Sequence, residues 1–393
     1  MKKLSYKTII LAAACLLLPG CADDAADAIE QPVTPPTAEL VGDSEVEIKL
    51  SSNSSTMLTR AGVYEGTNGF YTTKWMGIFC LADEKLIQSA EDIDWSRSST
   101  TSEDVHLDNV GAMVTDGQLS FTGGATYYYP MSNKYRYRFY GYYTRQTEVV
   151  TKEPEKVTVG VTFKGNDDIL WGKSEMPQDT YEKYAYSAKY YREHIKDVTT
   201  EAAIPTIGFE HVMTCLEFSV LAKDESAKNL TISSIKLLNA PQKLNLVLAT
   251  KSHVGEGVIE IDETSDATVN VDLMDVKYTL DEETGKLTYE TPVVTSVPIT
   301  DEEAIVGVSE TDLTPAAFYV FPQREHLVRV EMKGFGKTFT YDMPVQLPEG
   351  DTYAGHKYKL KLQVYGPQQI TLNTTLEPWV YDEGTDDDIE IEL

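Results

Sequence analysis

The sequence predicts an all-β protein of two tandem β-sandwich domains, and three observations support this. Apolar residues recur with period two along most of the chain, the spacing of strands that bury one face. The strand-like segments are short and follow one another roughly every 8–15 residues with turn residues between them, the rhythm of sandwiches rather than of βαβ units. Helical periodicity is scarce: only residues 176–195, rich in Tyr, Lys and Glu, fit one or two turns, and the same stretch reads equally as a long polar loop. At 393 residues the chain is long enough for two cores and too long for one sandwich.

At the start, Lys2, Lys3 and Lys7 precede an apolar run over residues 9–18 and then Leu18-Pro19-Gly20-Cys21. A basic segment, a short apolar segment and a cysteine directly after a small residue make residues 1–20 a signal peptide ending in a lipobox, with Cys21 as the acylated new N-terminus. Pro19 departs from the usual small or β-branched residue at that place. The apolar run has ten residues, half of what a spanning helix needs, so the expected protein is anchored rather than spanning. Residues 21–43 carry Pro32, Pro35 and Pro36 and few large apolar side chains, which makes them a flexible tether. The acidic Asp23 and Asp24 behind the cysteine resemble the export signal of Bacteroidales surface lipoproteins and read equally as a solvated linker.

Residues 44–250 are expected to form the N-terminal sandwich. Val46, Ile48 and Leu50 alternate with Glu45, Glu47 and Lys49 as a first strand, residues 75–81 form a buried run, and residues 135–143 form an aromatic strand. Further strands are expected at 157–163, 212–221 and 230–238. The C-terminal sandwich is expected over residues 251–393, with the turn Gly255-Glu256-Gly257 at the division and a boundary near Ile204 as the competing choice. Its strands are expected at 269–273, 318–321, 327–332, 339–343, 358–365, 370–376 and 389–393. Two hairpins are legible from their turns, 278–280 into 287–289 and 328–332 into 338–341.

Composition and motifs exclude most chemistry. Against 34 basic residues stand 62 acidic ones, a net charge of −28, which repels nucleic acid and anionic head groups. No Gly-x-Ser-x-Gly, His-Glu-x-x-His, phosphate loop or Cys-x-x-Cys is present, so neither an enzyme nor a cofactor is expected. Gly334-Phe335-Gly336-Lys337-Thr338 lacks the preceding glycine and following helix of a nucleotide loop and reads as a hairpin turn. The histidines His106, His194, His211, His253, His326 and His356 are scattered without metal-ligand spacing, and no metal site is expected. The acidic cluster Asp382, Glu383, Asp386, Asp387, Asp388 reads as a solvated linker. Beyond Cys15 and Cys21, only Cys80 and Cys215 remain, either as buried thiols or as a disulfide.

Several segments then combine in a recognisable order. They are Leu58-Thr59-Arg60-Ala61 after the first strand, the run from Trp75 to Leu81, and Tyr127-Tyr128-Tyr129-Pro130 with Arg138-Phe139-Tyr140-Gly141-Tyr142-Tyr143. Asp167-Asp168-Ile169-Leu170 and Gly208-Phe209-Glu210-His211-Val212-Met213 follow, then Phe318-Tyr319-Val320-Phe321-Pro322-Gln323, Gly355-His356-Lys357-Tyr358 and Leu376-Glu377-Pro378-Trp379. With these the chain resembles the fimbrillin family, the pilin-like lipoproteins that build or cap type V pili in Bacteroidales. The resemblance implies two transthyretin-like Greek-key sandwiches.

It also implies a mechanism. In polymerising members an Arg-specific protease cuts after the first strand, the strand leaves, and the C-terminal segment of a neighbouring subunit fills the vacated groove. Carried onto this chain, the cut falls between Arg60 and Ala61, Val46, Ile48 and Leu50 form the placeholder strand, and Ile389, Ile391 and Leu393 form the candidate donor. The C-terminal strand either donates in this way or stays at the edge of its own domain. The resulting expectation is a fimbrial subunit on the cell surface, held in the outer membrane by the Cys21 lipid and partnered by other fimbrial subunits and a processing protease. Kept beside it are a fimbrial anchor or tip adhesin with a host glycan or protein ligand, and a surface glycan-binding lipoprotein.

Overall fold

The computed structural model describes residues 45–52, 75–86, 92–115, 118–132, 134–144, 148–163, 168–175, 186–194, 204–272, 278–280, 287–289, 296–306, 318–350, 352–377 and 389–391. In chain order the first strands are β1 (Leu50–Ser52), β2 (Trp75–Lys85), β3 (Val105–Thr115), β4 (Gln118–Phe121), β5 (Tyr135–Tyr143), β6 (Glu148–Lys152), β7 (Lys156–Thr162) and β8 (Leu170–Ser174). A short helix α1 (Ala188–His194) comes next, inside the one stretch where the sequence allowed helix. Then follow β9 (Thr206–His211), β10 (Thr214–Ala222), β11 (Thr231–Pro241), β12 (Lys243–Thr250), β13 (Ile259–Ile261), β14 (Thr268–Asp272), β15 (Tyr278–Leu280) and β16 (Leu287–Tyr289). The last are β17 (Val297–Pro298), β18 (Ala304–Ile305), β19 (Phe318–Val320), β20 (Glu325–Gly334), β21 (Lys337–Gln346), β22 (Lys357–Gly366), β23 (Gln369–Glu377) and β24 (Ile389–Ile391).

The described chain is almost entirely β, as period two dictates, and both hairpins read from their turns are present as β15–β16 and β20–β21. Seven strands close a barrel in the order β1-β4-β3-β2-β5-β8-β9, and a four-stranded sheet β13-β12-β7-β6 accompanies it. Two further sheets, β18-β10-β22-β23-β24 and β14-β11-β20-β21, take the remaining long strands. Strands β10 and β11 pair with β22 and β20, while β13 pairs with β12 and β12 with β7, so pairing crosses the expected division at residues 250 and 251 in both directions.

Strand β3 escaped the sequence reading for a physical reason. Its pairing with β2 shifts register between Ile78 and Cys80, and Asn109 sits there in the left-handed region at φ 52°, so the alternation of apolar residues is broken mid-strand.

Alternation along β2 and β5 separates two apolar clusters. Met76, Ile78, Cys80 and Ala82 face the barrel interior with Tyr135, Tyr137 and Phe139, while Phe79 and Leu81 join Tyr140 and Tyr142 on the outer face. Both faces are buried, which is why residues 75–81 read as a continuous apolar run. The outer cluster is contiguous with Val157, Val159, Leu244 and Leu246 and onward with Phe218, Ile232, Val328 and Leu360 of the other sheets. Gly77 is required on this outer face, since a β-carbon there would lie 2.3 Å from the Tyr142 ring. Cys80 and Cys215 are not joined by a disulfide and belong to different clusters.

A polar network fastens the loop between β12 and β13 to the barrel's outer face. His253 Nε2 lies 2.9 Å from Asp83 on β2 and its Nδ1 3.3 Å from Glu256. Tyr140 donates to Glu256 at 3.0 Å, Arg138 on β5 reaches Asp83 at 3.1 Å, and Lys173 on β8 reaches Glu256 at 3.4 Å. Hydrogen bonds to Asp83 and then Glu256 raise the His253 pKa to about 9. Burial would raise the Glu256 carboxyl, but its bonds from His253, the Thr250 amide and Tyr140 outweigh this and hold it low. A histidine whose pKa is raised on folding stabilises fully below its unfolded value of about 6.5 and loses that contribution as pH climbs through its folded value. The melting temperature should therefore fall between pH 6.5 and about 9. His253→Gln should flatten that fall in calorimetric scans; an unchanged slope in the variant would remove His253 from the network's energetics.

Candidate functional site

The first strand, expected at residues 46–50, is observed as β1 at Leu50–Ser52, with residues 46–49 leading into it through an isolated bridge between Glu47 and Tyr128, and it has a special place in the barrel. Strand β1 lies antiparallel to β4, with Leu50 opposite Leu119, and parallel to β9, with Ser51 opposite Thr206 and Ser52 opposite Ile207. It is the stave that closes the barrel: without it β4 and β9 become two open edges. Just before β1, the Ile48 amide donates to the Tyr127 carbonyl and the Tyr129 amide to the Val46 carbonyl, both at 2.8 Å. Residues 127–129 thus continue the wall that β4 begins. The Ser51 amide donates to the Pro205 carbonyl at 3.0 Å, and the hydroxyls of Ser51 and Thr206 lie 2.7 Å apart on the opposite side.

Alternation sends Ile48 and Leu50 inward, where they are 2% and 3% exposed, while Val46 is half-buried at the rim of the same cluster. Burying an aliphatic side chain is worth roughly 1.5–3 kcal/mol, so the strand is held mainly by these residues and only secondarily by its short ladder. Their surroundings are strongly aromatic: Tyr129 packs edge-on against Phe139 at 6.0 Å, and its hydroxyl lies 3.3 Å from that of Tyr191 on α1. All these groups belong to the interior cluster, while the outer cluster contains none of the first strand. Vacating the strand's place would expose apolar side chains and unpaired backbone groups together, the two requirements for adding a foreign strand.

At the other end, β24 lies antiparallel on β23, with Ile389 opposite Leu376 and Ile391 opposite Thr374. Here the candidate donor occupies the edge of its own sheet. Cys21, Arg60, Ala61 and Leu393 lie outside the described residues.

Sequence reasoning did not find β4 or β9 as the neighbours of the first strand. Parallel pairing of β1 with β9 joins residues about 155 positions apart and leaves no local signal. Tyr127-Tyr128-Tyr129 and Gly208-Phe209-Glu210-His211, the latter within β9, both stand out in the sequence, but neither shows its partner. Among the described residues, no group of three or more His, Cys, Asp or Glu side chains is placed to hold a metal ion. His211 instead meets the buried Asp168 with both carboxylate oxygens at 3.1 Å, and His326 is buried with its pKa lowered to about 4 by desolvation.

A family model described as fimbrillin-like matches residues 59–379. No curated protein matches the sequence. Among solved structures, a protein from Bacteroides uniformis provisionally described as a cell adhesion protein is similar, at 13% identity and a TM-score of 0.45, over 85% of this chain and 99% of that one. One from Bacteroides ovatus with the same description gives 14% identity and a TM-score of 0.41 over 86% and 99% of the two chains. The fimbrial anchor protein Mfa2 from Porphyromonas gingivalis gives 8% identity and a TM-score of 0.34 over 86% and 98%.

Proposed function

Because the chain belongs to the fimbrillin-like family, we propose that it is a structural subunit of a surface fimbria serving cell adhesion, and that it assembles by strand exchange. In this reading the Cys21 lipid holds it in the outer membrane, a protease cuts between Arg60 and Ala61, and the strand carrying Val46, Ile48 and Leu50 leaves. The C-terminal segment with Ile389, Ile391 and Leu393 of a neighbouring subunit then takes its place. The observation that carries the reading is the position of β1 as the closing stave between β4 and β9, with Ile48 and Leu50 buried in a cluster of their own. A strand so placed can be removed without passing through the core of the other sheets.

The pairing of β24 on β23 favours a second reading, in which the C-terminal strand stays at home and the protein is a fimbrial anchor or tip adhesin. Brief digestion with an Arg-specific protease followed by light scattering separates these. A fimbrial subunit of the first kind grows into polymer over hours, and a protein that stays monomeric after clean cleavage after Arg60 is an anchor, a tip or a glycan-binding lipoprotein.

The anchor has its own test. Cys21→Ala should leave an unlipidated precursor that no longer partitions with membranes in detergent phase separation. Partitioning like that of the unaltered protein would refute acylation at Cys21.

A further inference from the structure

Residues 127–129 form an extended strap against the leading half of the first strand, bonded to it through the Tyr127 carbonyl and the Tyr129 amide. In extended chain the carbonyl of the intervening residue points the opposite way. That carbonyl, of Tyr128, receives the Nε2 of His106 on β3 at 2.6 Å. A carbonyl only accepts, so Nε2 carries the hydrogen. Strand β4 pairs with β3 through residues 118–121, and β3–β4 pairing does not extend to the strap. Where that ladder has ended, one imidazole ties the strap to β3. Desolvation lowers the His106 pKa below its ordinary value, so at neutral pH the tie is a single neutral hydrogen bond.

We propose that His106 is a latch, a positioning residue that holds the strap of residues 127–129 against the first strand and thereby sets how fast that strand leaves once the chain is cut. The proposal rests on the strand-exchange reading above. Other contacts keep the strap folded without the latch: the buried Tyr129 ring lies against Tyr191, and Ser132, three residues beyond the strap, donates to Glu103. Neither of these bonds the backbone opposite the first strand, so the latch governs release while they preserve the barrel.

The test follows self-exchange and does not depend on which segment is the donor. Protein cut after Arg60 is mixed with excess fluorescent synthetic peptide of residues 44–60, and uptake is followed by anisotropy. His106→Leu should exchange about three- to tenfold faster than the unaltered protein, the range expected for one lost hydrogen bond. His106→Gln, whose amide donor can reach the same carbonyl, should return to within about twofold. If His106→Leu does not fold, His106→Asn, with a donor too short to reach, carries the same expectation. Exchange of the Leu or Asn variant at the unaltered rate overturns the latch, as does equal acceleration in the Gln variant. Cut unaltered protein that takes up no peptide at all overturns strand exchange itself, and the latch with it.

Discussion

Truncation after Trp379 is expected to abolish polymer formation while leaving cleavage after Arg60 intact. The cut alone severs one covalent link; Ile48 and Leu50 remain buried and the ladder to residues 127–129 persists, so the first strand leaves slowly unless a competitor replaces it. A replacement must offer apolar side chains at alternate positions. Burial of Ile389, Ile391 and Leu393 would return roughly 1.5–3 kcal/mol each before ordering costs, comparable with what the placeholder gives up. Against this stands the home pairing of β24 on β23, which must be broken first. Light scattering over hours should show polymer from the cut full-length chain only, with the cut truncated chain and protease-treated Arg60→Ala remaining monomeric. Equal polymerisation of the truncated chain would disprove the donor assignment.

Leu50→Ala and Leu246→Ala should destabilise to a similar degree and differ in consequence. Both side chains are fully buried, and such truncations cost roughly 2–5 kcal/mol. Leu50 sits in the barrel interior, whereas Leu246 on β12 sits in the cluster that runs through the other sheets. In the cut protein, Leu50→Ala weakens only what retains the first strand, so exchange for a labelled copy should accelerate by about a hundredfold, since every 1.4 kcal/mol is tenfold. Leu246→Ala should lower the melting temperature and leave exchange within about twofold. Acceleration by Leu246→Ala to the same extent would show that the two clusters open as one cooperative unit.

Much of the fold was legible because strand formation here is written locally. Residues 357–364 alternate Lys, Tyr, Lys, Leu, Lys, Leu, Gln and Val, and that pattern leaves no choice but a strand with one face buried, as β22 is. The turn Gly334-Phe335-Gly336-Lys337 fixes its hairpin in the same way, with Phe335 and Gly336 both at positive φ. Strands with interrupted alternation, such as β3, were not legible, since a bulge moves side chains to the other face without marking the sequence.

For the candidate site the division is sharper. The sequence by itself determined that the chain is β, that Val46, Ile48 and Leu50 share one apolar face, and that the chain carries a fimbrillin-like order of segments, in line with the family model over residues 59–379. Only the tertiary structure decided what that first strand touches. Its partners are β4, the strap at 127–129 and, in parallel, β9, all distant in sequence. Ladder partners between remote segments are chosen by which edges are left unpaired when the barrel closes, and by which apolar face is still uncovered. Both are properties of the assembled wall that no single segment contains.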